Sequence, residues 1–193
     1  YYYQSLLRDK NHHILDLENF YKKLKKSTIF WVNQSPNMNS YMREFESKNV
    51  LVTGGAGFLG SWMCELLLNK GANVKCLDNY STGMKTNISH LDGKKGFQAM
   101  EGSIDDLNSS EHFDIILHFA SRPSPEEYQK YPIETLKVNS LDTVRLLDYA
   151  KNHKSLFMYA SSSEIYGNAD AIPTPESSWG RVNPVGIRSS YQE

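Results

Sequence analysis

The chain has 193 residues, 21 Lys plus Arg against 22 Asp plus Glu for a net charge of −1, and 39% hydrophobic and 12% aromatic residues. That length is about one domain with apolar content for a packed core, which excludes wholesale disorder. Balanced charge gives no basic field to hold a phosphate backbone, so nucleic acid is not an expected partner.

Residues 1–47 are polar and rich in Asn and Lys, and Ile14, Leu17, Tyr21 and Leu24 recur at the spacing of a short amphipathic helix. They are taken as an accessory segment ahead of a second region, 48–193. The longest apolar run in the first third, Thr28 to Val32, is far below the roughly 20 residues of a membrane helix, and no charged-then-apolar leader opens the chain. No membrane association is expected. Cys64 and Cys76 sit inside predicted regular elements without metal-ligand spacing, so no disulfide scaffold is expected and a reducing, cytoplasmic setting is. The six histidines also show no ligand spacing, so no metal is expected. The sequence opens without Met and stops at Gln192-Glu193, so a fragment is expected.

From Asn49 apolar runs alternate with helical patterns. Val50-Leu51-Val52 is a strand ending in glycines, Phe58 to Lys70 a helix with Leu59, Met63, Leu66 and Leu67 at helical spacing, and Val74 to Leu77 a second strand. Phe97–Met100, Ile115–Phe119 and Leu156–Ala160 supply three more strands. Between the last two, Ile133, Leu136, Ser140, Val144 and Leu147 share one face of a single long helix from Pro132 to Lys151. Strands alternating with helices predict an α/β, Rossmann-type, doubly wound parallel sheet covered on both faces. The triplets at Asn33, Asn87 and Asn108 match a glycosylation acceptor and are read as chance.

The segment Thr53-Gly54-Gly55-Ala56-Gly57-Phe58-Leu59-Gly60 lies between the first strand and first helix. Glycines there allow a tight turn, a close approach of pyrophosphate to backbone, and close packing of helix on strand. The helix N-terminus supplies free N–H groups and a positive dipole end. Asp78, ending the second strand, stands where a carboxylate can accept both ribose hydroxyls and repel a 2′-phosphate, which favours NAD over NADP. The alternative is an ordinary turn with a strand-end acid. Ser103, in Gly102-Ser103-Ile104, falls where an adenine contact is expected. His118 ends the fourth strand, where a lone histidine is more often structural than catalytic, and Ala120 and Ser121 follow it as cofactor-lining backbone. Ser161 to Glu164 ends the fifth strand facing the same crevice. Tyr191 is a candidate proton carrier, needing a nearby cation because free tyrosine titrates near 10.

Together these residues carry a resemblance. Residues 49–193 resemble the extended short-chain dehydrogenase/reductase family acting on nucleotide sugars (the NAD-dependent epimerase/dehydratases), and within it the UDP-glucuronate decarboxylases that make UDP-xylose. The motifs in order are Val52 to Ser61, Leu77-Asp78-Asn79 with Thr82-Gly83, His118 to Ser121 with Pro123-Ser124-Pro125, and Tyr128, Pro132, Thr135 to Lys137 and Asn139. Ser161 to Gly167, Pro175-Glu176, Trp179-Gly180, Val182-Asn183-Pro184 and Arg188 to Tyr191 follow. The resemblance implies NAD contacts from Gly54, Gly57, Phe58, Leu59, Gly60, Asp78, Asn79, Ser103, Ile104, Ala120, Ser121, Asn139 and Tyr191. It implies substrate contacts from Pro123, Ser124, Tyr128, Ser162, Glu164 and Arg188, and a homodimer through the long helix and the helix near Tyr191.

By the same resemblance Ser162 bonds the sugar 4-OH, Tyr191 removes its proton, and hydride passes from C4 to NAD. The family's lysine four residues after the tyrosine would fall beyond Glu193. Ser103 departs from the family's usual aspartate beside adenine, Asp142 from a glycine and Ile187 from a proline. The Ser163-Glu164 pair resembles the decarboxylases, whereas the related 4,6-dehydratases carry an Asp-Glu pair to expel a hydroxyl, for which serine is too weak an acid. A 4-epimerase or dehydratase remains the enzymatic alternative. An inactive cofactor-binding or assembly module is the reading from a different class, should Glu193 be the true end.

Overall fold

The computed structural model describes residues 45–192. The predicted helix in the first segment lies outside them. Five strands, β1 (Asn49–Thr53), β2 (Asn73–Asp78), β3 (Phe97–Glu101), β4 (Ile115–His118) and β5 (Leu156–Tyr159), form one sheet in the order β3-β2-β1-β4-β5. Every pairing is parallel, with Val52 beside Cys76 on one side and Leu117 on the other. Helix α1 (Phe58–Asn69) connects β1 to β2; α2 (Pro125–Lys130), α3 (Pro132–Asn139) and α4 (Leu141–His153) connect β4 to β5; α5 (Ser189–Gln192) comes last.

The central strand alternates its contacts. Val50 and Val52 join Cys64 and Leu67 of α1, while Leu51 joins Ile116 and Leu146 of α4 on the opposite face. The sheet is thus covered on both faces, as predicted. Each fully buried side chain of this size contributes about 1.5–3 kcal/mol. Among the described residues, no helix is long and apolar enough to cross a membrane.

One expectation is corrected. The single helix from Pro132 to Lys151 is two helices separated at Ser140, because side chains take the carbonyls at the junction: Val138 O lies 3.2 Å from His118 Nε2, and Asn139 O accepts from Thr143 Oγ1 at 2.9 Å. The apolar stripe of Ile133, Leu136, Val144 and Leu147 is exposed, and the buried face is Thr135, Asp142, Leu146 and Ala150. Helix α2 was not predicted. Ser124 caps it by accepting from Glu127 N at 3.2 Å, and Pro125 and Glu126 open its first turn.

Candidate active-site crevice

The strand order reverses between β1 and β4, and in open parallel sheets ligands bind at the carboxyl ends beside that point. Here the glycine loop and the turn after β4 pack together. Gly54 has φ +68, and a Cβ on it would stand 2.6 Å from Ala120 N. A Cβ on Gly60 would meet Gly54 O at 2.1 Å, so α1 can start this close to β1 only with glycine there. Gly57 precedes α1 with no side-chain cap, and the first turn holds no acid, which leaves its N–H groups for an anion. Phe58 and Leu59 are exposed beside that end.

Asp78 is 7% exposed at the end of β2. Its Oδ2 accepts from Ala56 N at 2.9 Å and its Oδ1 from Tyr80 N at 2.8 Å. The carboxylate therefore braces the glycine loop while keeping lone pairs for a ribose. Asn87 and Met84, which sequence reasoning did not assign to the site, complete the brace with Gly83 of the Thr82-Gly83 motif: Asn87 Nδ2 donates to Ala56 O at 2.8 Å, Met84 N to the same oxygen at 3.1 Å, and Gly83 sits against the Asp78 carboxylate. The loop of Asn79 follows, its Oδ1 accepting from Ser81 N at 3.0 Å. Ser103 has a local partner, its Oγ and N bonding Asp106 Oδ2 at 3.0 and 2.7 Å, and Ile104 packs against the core on the α4 face.

Beyond β4, Ser121 Oγ and Asn139 Oδ1 are buried and have no hydrogen-bond partner. Two orphaned polar atoms, an uncapped helix start and a braced carboxylate around one crevice fit a dinucleotide. Asp142, the departure from glycine, is buried and lies 3.0 Å from Arg145 Nη1, which also meets Asp105 at 2.6 Å.

The second cluster gathers at the end of β5. Ser162 Oγ accepts from Glu164 N at 3.3 Å and opens a short 3-10 turn, Ser163–Tyr166. Gly167 bridges to Arg181, and Arg181 N donates to Tyr166 O at 2.8 Å, which returns the chain toward α5. There Gln192 Nε2 donates to Glu164 Oε2 at 3.1 Å, and Arg188 Nη1 lies 3.8 Å from Glu164 Oε1. Tyr191 stacks on Tyr128 at 5.0 Å between ring centroids. Tyr128 is 2% exposed, so the ring supports Tyr191, and Ser124 is engaged as the α2 cap beside exposed Pro123. Tyr159 lies near Tyr191, and burial raises its pKa above the ordinary value.

Comparison with known proteins agrees with this geometry. The pattern of the NAD dependent epimerase/dehydratase family matches residues 50–193. The chain is 36% identical over 172 residues to UDP-glucuronic acid decarboxylase 1 of Danio rerio, covering 89% of this chain and 41% of that one. It is 39% identical over 153 residues to the same-named protein of Xenopus tropicalis, covering 79% and 36%. The chain therefore spans less than half the length of these curated relatives. Among solved structures it is similar to an epimerase from Methanothermobacter thermautotrophicus, with TM-score 0.69, 31% identity and coverage of 79% and 46%. The UDP-glucose 4-epimerase of Bifidobacterium longum, solved with NAD+ and UDP, gives TM-score 0.61, 30% identity and coverage of 75% and 46%. A Rossmann sheet with a braced glycine loop, matched over most of its length by that pattern, makes the chain a member of the NAD-dependent epimerase/dehydratase family.

Proposed function

We propose that the chain is the NAD-binding part of a nucleotide-sugar enzyme, a UDP-glucuronate decarboxylase that makes UDP-xylose through a 4-keto sugar. The observation that carries this reading is the Ser162-Ser163-Glu164 turn held beside Tyr191 by Arg188 and Gln192, in a chain similar to proteins named for that activity. The glycine loop, the α1 N-terminus and Asp78 would hold the dinucleotide, with Asn79, Ser103 and Ile104 assigned to its adenine end and Ala120, Ser121 and Asn139 to the rest of it. A bound NAD would supply the hydride acceptor and donor for sugar C4. Tyr191 takes the 4-OH proton while Ser162 bonds that hydroxyl. Ser163 and Glu164 are assigned to the sugar carboxylate, with Glu164 held by Arg188 and Gln192 on its two oxygens.

The test is incubation of the full-length enzyme with NAD and UDP-glucuronate. Release of carbon dioxide with UDP-xylose is the expected result, and neither product overturns the reading. The solved epimerase structures favour a second one, 4-epimerisation, recognised by an inverted 4-OH and no carbon dioxide. A keto-deoxy sugar from a dTDP- or GDP-linked substrate marks a dehydratase.

The proposal extends to a homodimer through α3, α4 and α5, supported by the exposed Leu136, Val144 and Leu147, and tested by sedimentation of Leu147→Glu, expected to be a monomer. It also takes residues 1–47 as an accessory segment and the setting as cytoplasmic, supported by the free, buried Cys64 and Cys76 and tested by cell fractionation.

A further inference from the structure

We propose that His118 is a positioning residue of the crevice: a neutral imidazole with its proton on Nε2, it pins the break between α3 and α4 to the carboxyl ends of β1 and β4. The Val138 carbonyl, 3.2 Å from Nε2, can only accept, so Nε2 carries the hydrogen. Nδ1 is then an acceptor, and the Thr53 hydroxyl donates to it at 2.6 Å. With its hydrogen engaged, Thr53 Oγ1 faces Ala120 N at 3.4 Å as an acceptor. The ring is 1% exposed, and burial lowers its pKa below the ordinary value, which keeps it neutral. Tyr159 and Phe157 rings flank it at 5.5 and 6.4 Å.

One imidazole so joins three segments that meet around the crevice. Thr53 leads into Gly54, whose backbone touches Phe119 and Ala120. Val138 and Ala120 each precede one of the orphaned polar groups, Asn139 Oδ1 and Ser121 Oγ. A shift at the pin therefore moves both orphaned atoms, which the cofactor reading aims at NAD. Only that last step rests on the proposed function.

The test uses the full chain and two variants of similar polarity. His118→Gln sets an amide nitrogen near the place of Nε2 and retains the donor to Val138. His118→Asn sets an amide oxygen near the place of Nδ1, retaining Thr53 and losing that donor. Nitrogen NMR of the wild type is expected to show a neutral Nε2–H ring. Amide exchange at 140–143 is expected to speed up about tenfold or more in His118→Asn and to stay within about threefold in His118→Gln. The NAD dissociation constant is expected to follow the same split, about tenfold against less than threefold. A protonated ring, an Nδ1–H ring or equal responses from the two variants overturns the pin. If His118→Asn does not fold, His118→Gln decides alone: near-wild-type exchange supports the pin, and fast exchange overturns it. A wild type that fails to bind NAD overturns the cofactor reading and the final step, while ring state and exchange still judge the pin.

Discussion

Asp78 holds two main-chain N–H groups, Ala56 N and Tyr80 N, before any ligand arrives, so its charge serves the loop as well as a ribose. Asp78→Asn leaves one acceptor oxygen and turns an amide donor toward one of those N–H groups. It is expected to cost about 1–3 kcal/mol in urea unfolding and also to weaken NAD binding in a fluorescence titration. Loss of NAD binding with stability unchanged would contradict the bracing role. His118 offers a pH signature. Its folded pKa is lowered by burial, so below about 6.5 the unfolded chain takes up a proton that the folded chain refuses. Its contribution is therefore present above that pH and is lost as pH falls toward the folded pKa. The urea midpoint of the wild type is expected to fall more steeply from pH 7 to 5 than that of His118→Gln; parallel curves would refute this.

At the level of elements, α2 hangs on a short signal: Ser124 as cap, Pro125 behind it, and Glu126 and Glu127 in the first turn. Ser124→Ala is expected to cost about 1 kcal/mol, measured by thermal unfolding, with a small loss of order around Tyr128. The cap signal of Ser124, Pro125 and Glu127 stands in the sequence, but the six residues it opens are too short for helical periodicity to mark. The strands were legible in sequence because Val50 to Val52 and Ile115 to Leu117 are apolar on both faces, as a doubly covered parallel sheet demands. The break at Ser140 was not legible: no glycine or proline marks it, and one of the side chains at the junction, His118, reaches the Val138 carbonyl from 20 residues away in the chain. The facing of the α3–α4 stripe was hidden for a related reason, since helical spacing tells which residues share a side but not which side meets the sheet. Of the crevice, the glycines, Asp78 and Gly83 were legible as a motif, whereas Asn87 and Met84 were not, because their work is done on the Ala56 carbonyl, far away in the chain.

For the whole molecule, the central strand is the point on which both halves of the core close. Ile116→Ala beside it is expected to cost about 2–5 kcal/mol, with Leu146→Ala similar, both read from chemical denaturation. A loss below 1 kcal/mol for either would mean that the α4 face is loosely packed. The strand order also gives the molecule two unlike rims. Among the described residues β3 closes one side with an exposed Gln98 and with Glu101 tied to Lys85 at 2.6 Å, a polar, charged border. Among the described residues β5 closes the other with Leu156 65% and Met158 42% exposed, an apolar border whose outward backbone groups are a template for another strand. Turbidity that grows with protein concentration should therefore arise from one border alone: Met158→Lys should suppress it, and a charge placed on β3 should leave it as it was.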